Sequence, residues 1–344
     1  MDNFVYILSK QPNLIIERLH ICTWTIERNT YFTEYGLEIH RGDLKKIELQ
    51  MALPLPEQLN KYNFKCLYNN IIDTENCRFI FNAEIKDISP INGQTPFGTR
   101  IDFNNDRKIT ALPIELLDNV KIDESTKTLS LSIDTSNEQI SDTIYVRFLI
   151  KTEQSAFAYE KKEVTRMIIT NEVRVNECRT ASESVIKLQK KTYKPVVINR
   201  CFCFNIIPNS YSIDFIDDTK LKTIRGLEAV GFSRYLDSLK TEFNLSLKEH
   251  EYNIVFCKQE NKENKPIHYS FFTRYSKEYI GNIQIGIAVA VNIFCSLLFA
   301  AGSLHKVAMD VPYWQRIVWE YYVAFAILIA LIIYLLYCRF WKKI

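Results

Sequence analysis

The five histidines of this 344-residue chain, His20, His40, His250, His268 and His305, are too scattered to suggest a pair of metal ligands. No glycine-rich phosphate loop, nucleophile elbow or zinc-site spacing occurs. Asp102 to Asp106 reads DFNND and lacks the glycine and the distal glutamate of a calcium loop. Cys201 and Cys203 stand two apart on an expected strand, so they face the same side and read as small core residues rather than a redox pair. Seven of the nine cysteines, Cys22, Cys66, Cys77, Cys178, Cys201, Cys203 and Cys257, form an odd set without a disulfide framework spacing, and reduced thiols are expected. No catalytic residue, metal or cofactor is therefore expected, and the chain does not read as an enzyme.

Charge is more informative than motif. Between Lys161 and Arg200 ten Lys or Arg residues face four Glu, a local balance of +6 in a chain whose total is +3. Within that stretch Lys187, Lys190, Lys191, Lys194 and Arg200 run without an acid, and Tyr193 sits among them. Such a surface suits the phosphates of a nucleotide or a single strand, with the tyrosine ring available for stacking. The plainer alternatives are a solvated face or contact with anionic lipid headgroups.

Ile283 to Leu304 and Ile317 to Cys338 are mostly apolar over about 20 residues, the length that crosses a hydrocarbon core. With Pro312 between them they predict a transmembrane hairpin. Arg274 and Lys277 before it, and Arg339, Lys342 and Lys343 after it, place both termini in the cytoplasm by the positive-inside rule. One stripe of the first span is small and polar, with Ala288, Asn292, Ser296 and Ser303 and with Gln284 at its margin. That stripe either packs against another helix or lines a water-filled path, which would require a cyclic homo-oligomer. Glu320, one turn inside the second span, fits an acidic ring or a local pair with Arg316.

The elements that must position these residues read mainly as strands. Period-two alternation dominates from Leu19 to Phe272. It is clear at Ile47 to Leu53, Phe79 to Ile85, Leu129 to Ile133 and Ile144 to Ile150. Later strands are expected over 164–169, 196–206, 252–257 and 267–272. One helix is predicted from about Asp218 to Phe243, capped by Asp218 or Thr219. The expected fold is β-rich α+β, an antiparallel β-sandwich-like cytosolic domain over residues 1–279 with a subdivision near 155 left open. A transmembrane helix (280–304), an extracytoplasmic loop (305–316), a second transmembrane helix (317–338) and a basic tail (339–344) follow. The N-terminus offers only five consecutive apolar residues beside Asp2, too short for a signal-peptide core.

This layout resembles the two-helix membrane effectors of bacterial anti-phage systems, of the Hailong and cyclic-oligonucleotide signalling type. The resemblance is one of architecture and rests on the β-rich domain, the basic run and the terminal hairpin. It implies a homo-oligomeric ion channel or pore in the inner membrane of a bacterium. A nucleotide or single-stranded oligonucleotide made by a nucleotidyltransferase partner would bind the cytosolic domain and gate it in anti-phage defence. The alternative is a non-conducting, membrane-tethered adaptor that binds a protein partner.

Overall fold

Alternation at a period of two gives each strand two unlike faces, and hiding the apolar ones requires stacked sheets. In the computed structural model two sheets do this. It describes residues 4–26, 30–91, 98–123, 126–152, 155–163, 166–226, 235, 252–263, 265–278 and 282–304, with a few positions between 322 and 330. The first strands are β1 Phe4–Ser9, β2 Ile15–Ile26, β3 Thr30–His40, β4 Lys46–Ala52, β5 Phe64–Cys66, β6 Ile85–Pro90 and β7 Thr99–Phe103. There follow β8 Lys108–Ala111, β9 Val120–Asp123, β10 Thr128–Asp134, β11 Thr143–Thr152, β12 Ala158–Lys162 and β13 Arg166–Val175. The last are β14 Lys194–Pro195, β15 Val197–Ile198, β16 Arg200–Pro208, β17 Ser212–Ile216, β18 Leu221–Gly226, β19 Tyr252–Glu260 and β20 Tyr269–Glu278.

One sheet runs β17, β20, β13, β1, β4, β10, β9, with β12 on β13 and β14 on β1. The other runs β18, β19, β16, β2, β3, β11, β8, β7, β6, with β15 on β2 and β5 on β11. Their inner faces meet through amides as well as apolar side chains. Asn171 on β13 donates to Thr23 Oγ1 on β2 at 3.2 Å and to Asn205 Oδ1 on β16 at 2.9 Å. Asn205 in turn donates to Thr273 Oγ1 on β20 at 3.2 Å.

The outer face of the first sheet is covered by α3, Glu183–Lys190, whose start is capped by Ser182. Phe4, Tyr6 and Leu8 of β1 pack there with Ala52, Val185 and Leu188. Because both of its faces are covered, β1 is buried at all six positions, and Phe4–Leu8 reads as an unbroken apolar run. The outer face of the second sheet takes α1 Tyr68–Ile72 and α2 Thr74–Phe81, with Ile71, Cys77 and Phe81 packed on Ile101, Phe103, Ile109 and Tyr145.

Several expectations are corrected. The sheets are mixed rather than antiparallel: β1 and β13, β2 and β15, β2 and β16, and β8 and β11 pair in parallel. β2 and β16 lie far apart in sequence, so no tight turn obliges them to run antiparallel. The alternation of Phe79, Phe81, Ala83 and Ile85 is not one strand. Asp73 caps a helix there by accepting from Asn76 N at 3.0 Å, and Cys77 and Phe81, four apart, share its buried face. The helix expected from Asp218 begins instead with a strand, β18, which pairs with β19. Of the remainder of that expected helix, 227–243, only Tyr235 is described, and it is helical.

The membrane hairpin is also overturned, since among the described residues no helix is long and apolar enough to cross a membrane. A helix, α4, does form over Asn282–Leu304. Most of 317–338 lies outside the described residues. The membrane, channel and pore assignments, and the multi-pass placement in an inner membrane with cytoplasmic termini, fall with the hairpin. The chain divides into two compact units, Met1–Glu160 with Ile168–Ser276, and Lys161–Met167 with Lys277–Ile344.

Candidate functional site

The basic run does not form one uniform surface. Lys187 is drawn to Glu183 one turn back at 2.9 Å, and Arg200 approaches Glu17 at 3.9 Å. Lys190, Lys191 and Lys194 are exposed and make no ion pair among the described residues. They gather where α3 ends and β14 begins. Lys194 is the register partner of Ser9 at the end of β1, which brings in Lys10, a residue outside the basic run. The Lys10 ammonium lies 4.9 Å from the Tyr193 ring centroid. Tyr193 itself is half-buried against the cluster beneath α3, so one part of its ring serves packing and one face already holds a cation. Four lysines, none with an acid partner among the described residues, thus lie near Tyr193, with Lys10 over its ring.

Helix electrostatics account for part of this arrangement. Lys190 and Lys191 close α3, where cations complement the carbonyl end of a helix. Lys10 and Lys194 stand on strand ends and have no such reason to be basic. From Lys194 the chain crosses between the sheets. Val196 N donates to Ile7 O of the first sheet at 3.0 Å, and Asn199 N donates to Ile16 O of the second at 2.8 Å. The lysine cluster is therefore joined by a short backbone segment to the first residues of β16.

The six residues expected to line a pore are not carried forward in that role, which required two spans. Ala288, Asn292 and Ser296 are exposed on α4, where Ser296 Oγ donates to Asn292 O at 2.8 Å. The side chains of Gln284, Ser303 and Glu320 lie outside the described residues.

A buried polar network escaped the sequence. On the outer face of the second sheet Glu34 is fully buried and accepts from Arg147 Nε at 2.9 Å and Nη2 at 2.5 Å. Trp24 Nε1 donates to its other oxygen at 2.9 Å, and the Tyr235 hydroxyl donates to Oε2. Arg147 Nη1 donates to Tyr145 Oη at 3.1 Å, and that hydroxyl lies 3.0 Å from His20 Nδ1. Gly36 makes room for the crossing, because a Cβ there would lie 2.3 Å from Tyr145 Oη. The carboxylate, the guanidinium and the hydroxyls of this set bond to one another, which marks it as scaffold.

Burial, with Arg147, Arg18 and Arg107 nearby, holds His20 well below its ordinary pKa of about 6.5. The folded state then takes up no proton at His20 where the unfolded chain does. Stability attributable to this group is complete above about pH 6.5 and falls as the pH drops below it, by at most about 1.4 kcal/mol per pH unit. Urea unfolding of the parent and His20→Gln at pH 7.5 and 5.5 should show a shallower loss in the variant. Equal losses would rule out His20 as the source.

Burial raises the pKa values of Cys201 and Cys203, and it brings Cys257 up to about 11. A cleft of about 790 Å3 is lined by His40, Arg100, Lys108 and Ser141, among others. The cleft also includes Arg41, whose guanidinium is spent on the carbonyls of Thr135, Ile140 and Ser141. Arg100 is held by Asp102 at 2.9 Å. In comparison with known proteins, no family model matches the chain and no curated protein is significantly similar to it.

Proposed function

We propose that the β-rich unit is a binding module for a phosphate-bearing ligand, a nucleotide or single-stranded oligonucleotide, held at the sandwich end by Lys10, Lys190, Lys191 and Lys194. The observation that carries this reading is the convergence of four lysines, without acid partners among the described residues, from the ends of β1, α3 and β14. Their ammonium groups supply charge without fixed geometry, which suits a flexible polyanion better than one small rigid ligand. Arg200 and Lys187, already engaged with Glu17 and Glu183, take a lesser part.

Charge reversal at two positions tests the proposal. Lys190→Glu with Lys191→Glu should weaken binding of a labelled oligothymidylate. It should also lower the slope of log affinity against log salt by about 1.4, since each single-strand phosphate that a lysine neutralises adds roughly 0.7 to that slope. Fluorescence anisotropy at several salt concentrations reads both effects. Affinity and slope equal to the parent's would place the ligand elsewhere or remove it.

A further inference from the structure

We infer that the outer face of the second sheet over β16 and β19 is a base-stacking site for single-stranded nucleic acid, joined to the lysine cluster by the backbone from Lys194 to Arg200. The inference rests on the phosphate-binding reading above and adds the group that would recognise bases. Strand register places the residues in rows. Arg200 and Glu260 form the first row, close enough to Arg18 for Arg200 to act on its charge, and His20, Phe202 and Lys258 form the second. Cys22, Phe204, Phe256 and Thr223 form the third.

Phe204 and Phe256 stack with centroids 4.6 Å apart and planes 7° apart, and Phe202 meets Phe256 edge-on at 5.7 Å. All three rings are half-buried, unlike core aromatics such as Tyr35, Phe148 and Phe271, which are closed off. They form an apolar floor that water still reaches.

Cations rim this floor. Lys258 Nζ lies 5.5 Å from the Phe202 centroid, and Arg225 on β18 lies 5.9 Å from that of Phe79. Arg18 and Arg107 share the single carboxylate of Glu38, at 3.4 and 2.5 Å. Lys258 is paired with Glu260 at 2.5 Å and Arg200 lies 3.9 Å from Glu17, yet Arg18, Arg107, Arg200, Arg225 and Lys258 still outnumber Glu38, Glu260 and Glu17. Rings flanked by an excess of cations complement a strand whose bases are free to stack and whose phosphates need neutralising. A duplex hides its base faces and does not fit this floor. The six-residue step from Lys194 to Arg200 spans at most ~20 Å, so one short strand can touch both places.

The test compares two probes on the full chain. A labelled oligothymidylate carries bases and phosphates, and inorganic polyphosphate carries phosphates alone. Phe202→Leu and Phe256→Leu keep apolar volume and remove the ring, and each should lower oligothymidylate affinity roughly tenfold. Polyphosphate affinity should not change. Phe202→Trp should bind at least as well as the parent and lose fluorescence as oligothymidylate is added; this remains readable if a leucine variant does not fold. Leucine variants that bind oligothymidylate like the parent, or a Phe202→Trp signal that never changes, overturn the stacking site. If Lys190→Glu with Lys191→Glu still weakens both probes, the phosphate reading survives that result. A parent that binds neither probe removes both.

Discussion

Arg147→Met is expected to lower the unfolding free energy by about 3–5 kcal/mol, because it leaves the Glu34 carboxylate buried without its cation. Glu34 is fully enclosed, and water cannot replace the two hydrogen bonds that the guanidinium supplied. Trp24 and Tyr235 still donate to the carboxylate, but neutral donors do not balance a charge in that setting. Urea denaturation of the variant measures the loss. Glu34→Leu combined with Arg147→Met should recover part of it, since a buried pair replaced as a whole costs less than one that is broken. A loss below about 1 kcal/mol in the single variant would mean that the pair is hydrated in solution.

Asn205→Leu should cost about 2–4 kcal/mol, although leucine nearly matches asparagine in shape. Asn205 lies between the two sheets. It accepts from Thr23 at 2.7 Å and from Asn171 at 2.9 Å, and donates to Thr273 at 3.2 Å. Removing it leaves buried polar groups on both sheets short of a partner, and each such group carries its own desolvation cost. The Asn171→Leu, Asn205→Leu double variant should lose clearly less than the sum of the singles, a coupling of at least about 0.5 kcal/mol in a mutant cycle. Strictly additive losses would show that the two amides act independently.

Much of the strand content was legible in the sequence. β4, β10, β11 and β19 stand close to where alternation placed them; in β4 and β10 one face is buried and period two records that face directly, whereas β11 is buried on both faces. The same rule misread Phe79 to Ile85. Phe79 and Phe81 satisfy a strand pattern, yet Cys77 and Phe81 also satisfy a helical one, and the Asp73 cap decides between them. Parallel pairing of β2 with β16 was not legible either, because periodicity carries no record of a strand's partner or direction.

What the sequence determined by itself is local: which residues alternate, where cations crowd without acids, and that no familiar catalytic spacing is present. The basic run from Lys187 to Arg200 was visible in this way. Only the tertiary structure separated its members, pairing Lys187 with Glu183 and setting Arg200 near Glu17, while Lys190, Lys191 and Lys194 stayed without an ion pair among the described residues. It also brought Lys10 across from β1 to Tyr193, and Phe256 from β19 onto Phe204. The apolar character of 283–304 and 317–338 is likewise a local property, and among the described residues it does not become a helix long and apolar enough to cross a membrane. The reason is common to all of these cases. Period and composition describe a residue's own backbone and its near neighbours, whereas charge partners, ring partners and sheet order depend on segments distant in sequence, which only packing brings together.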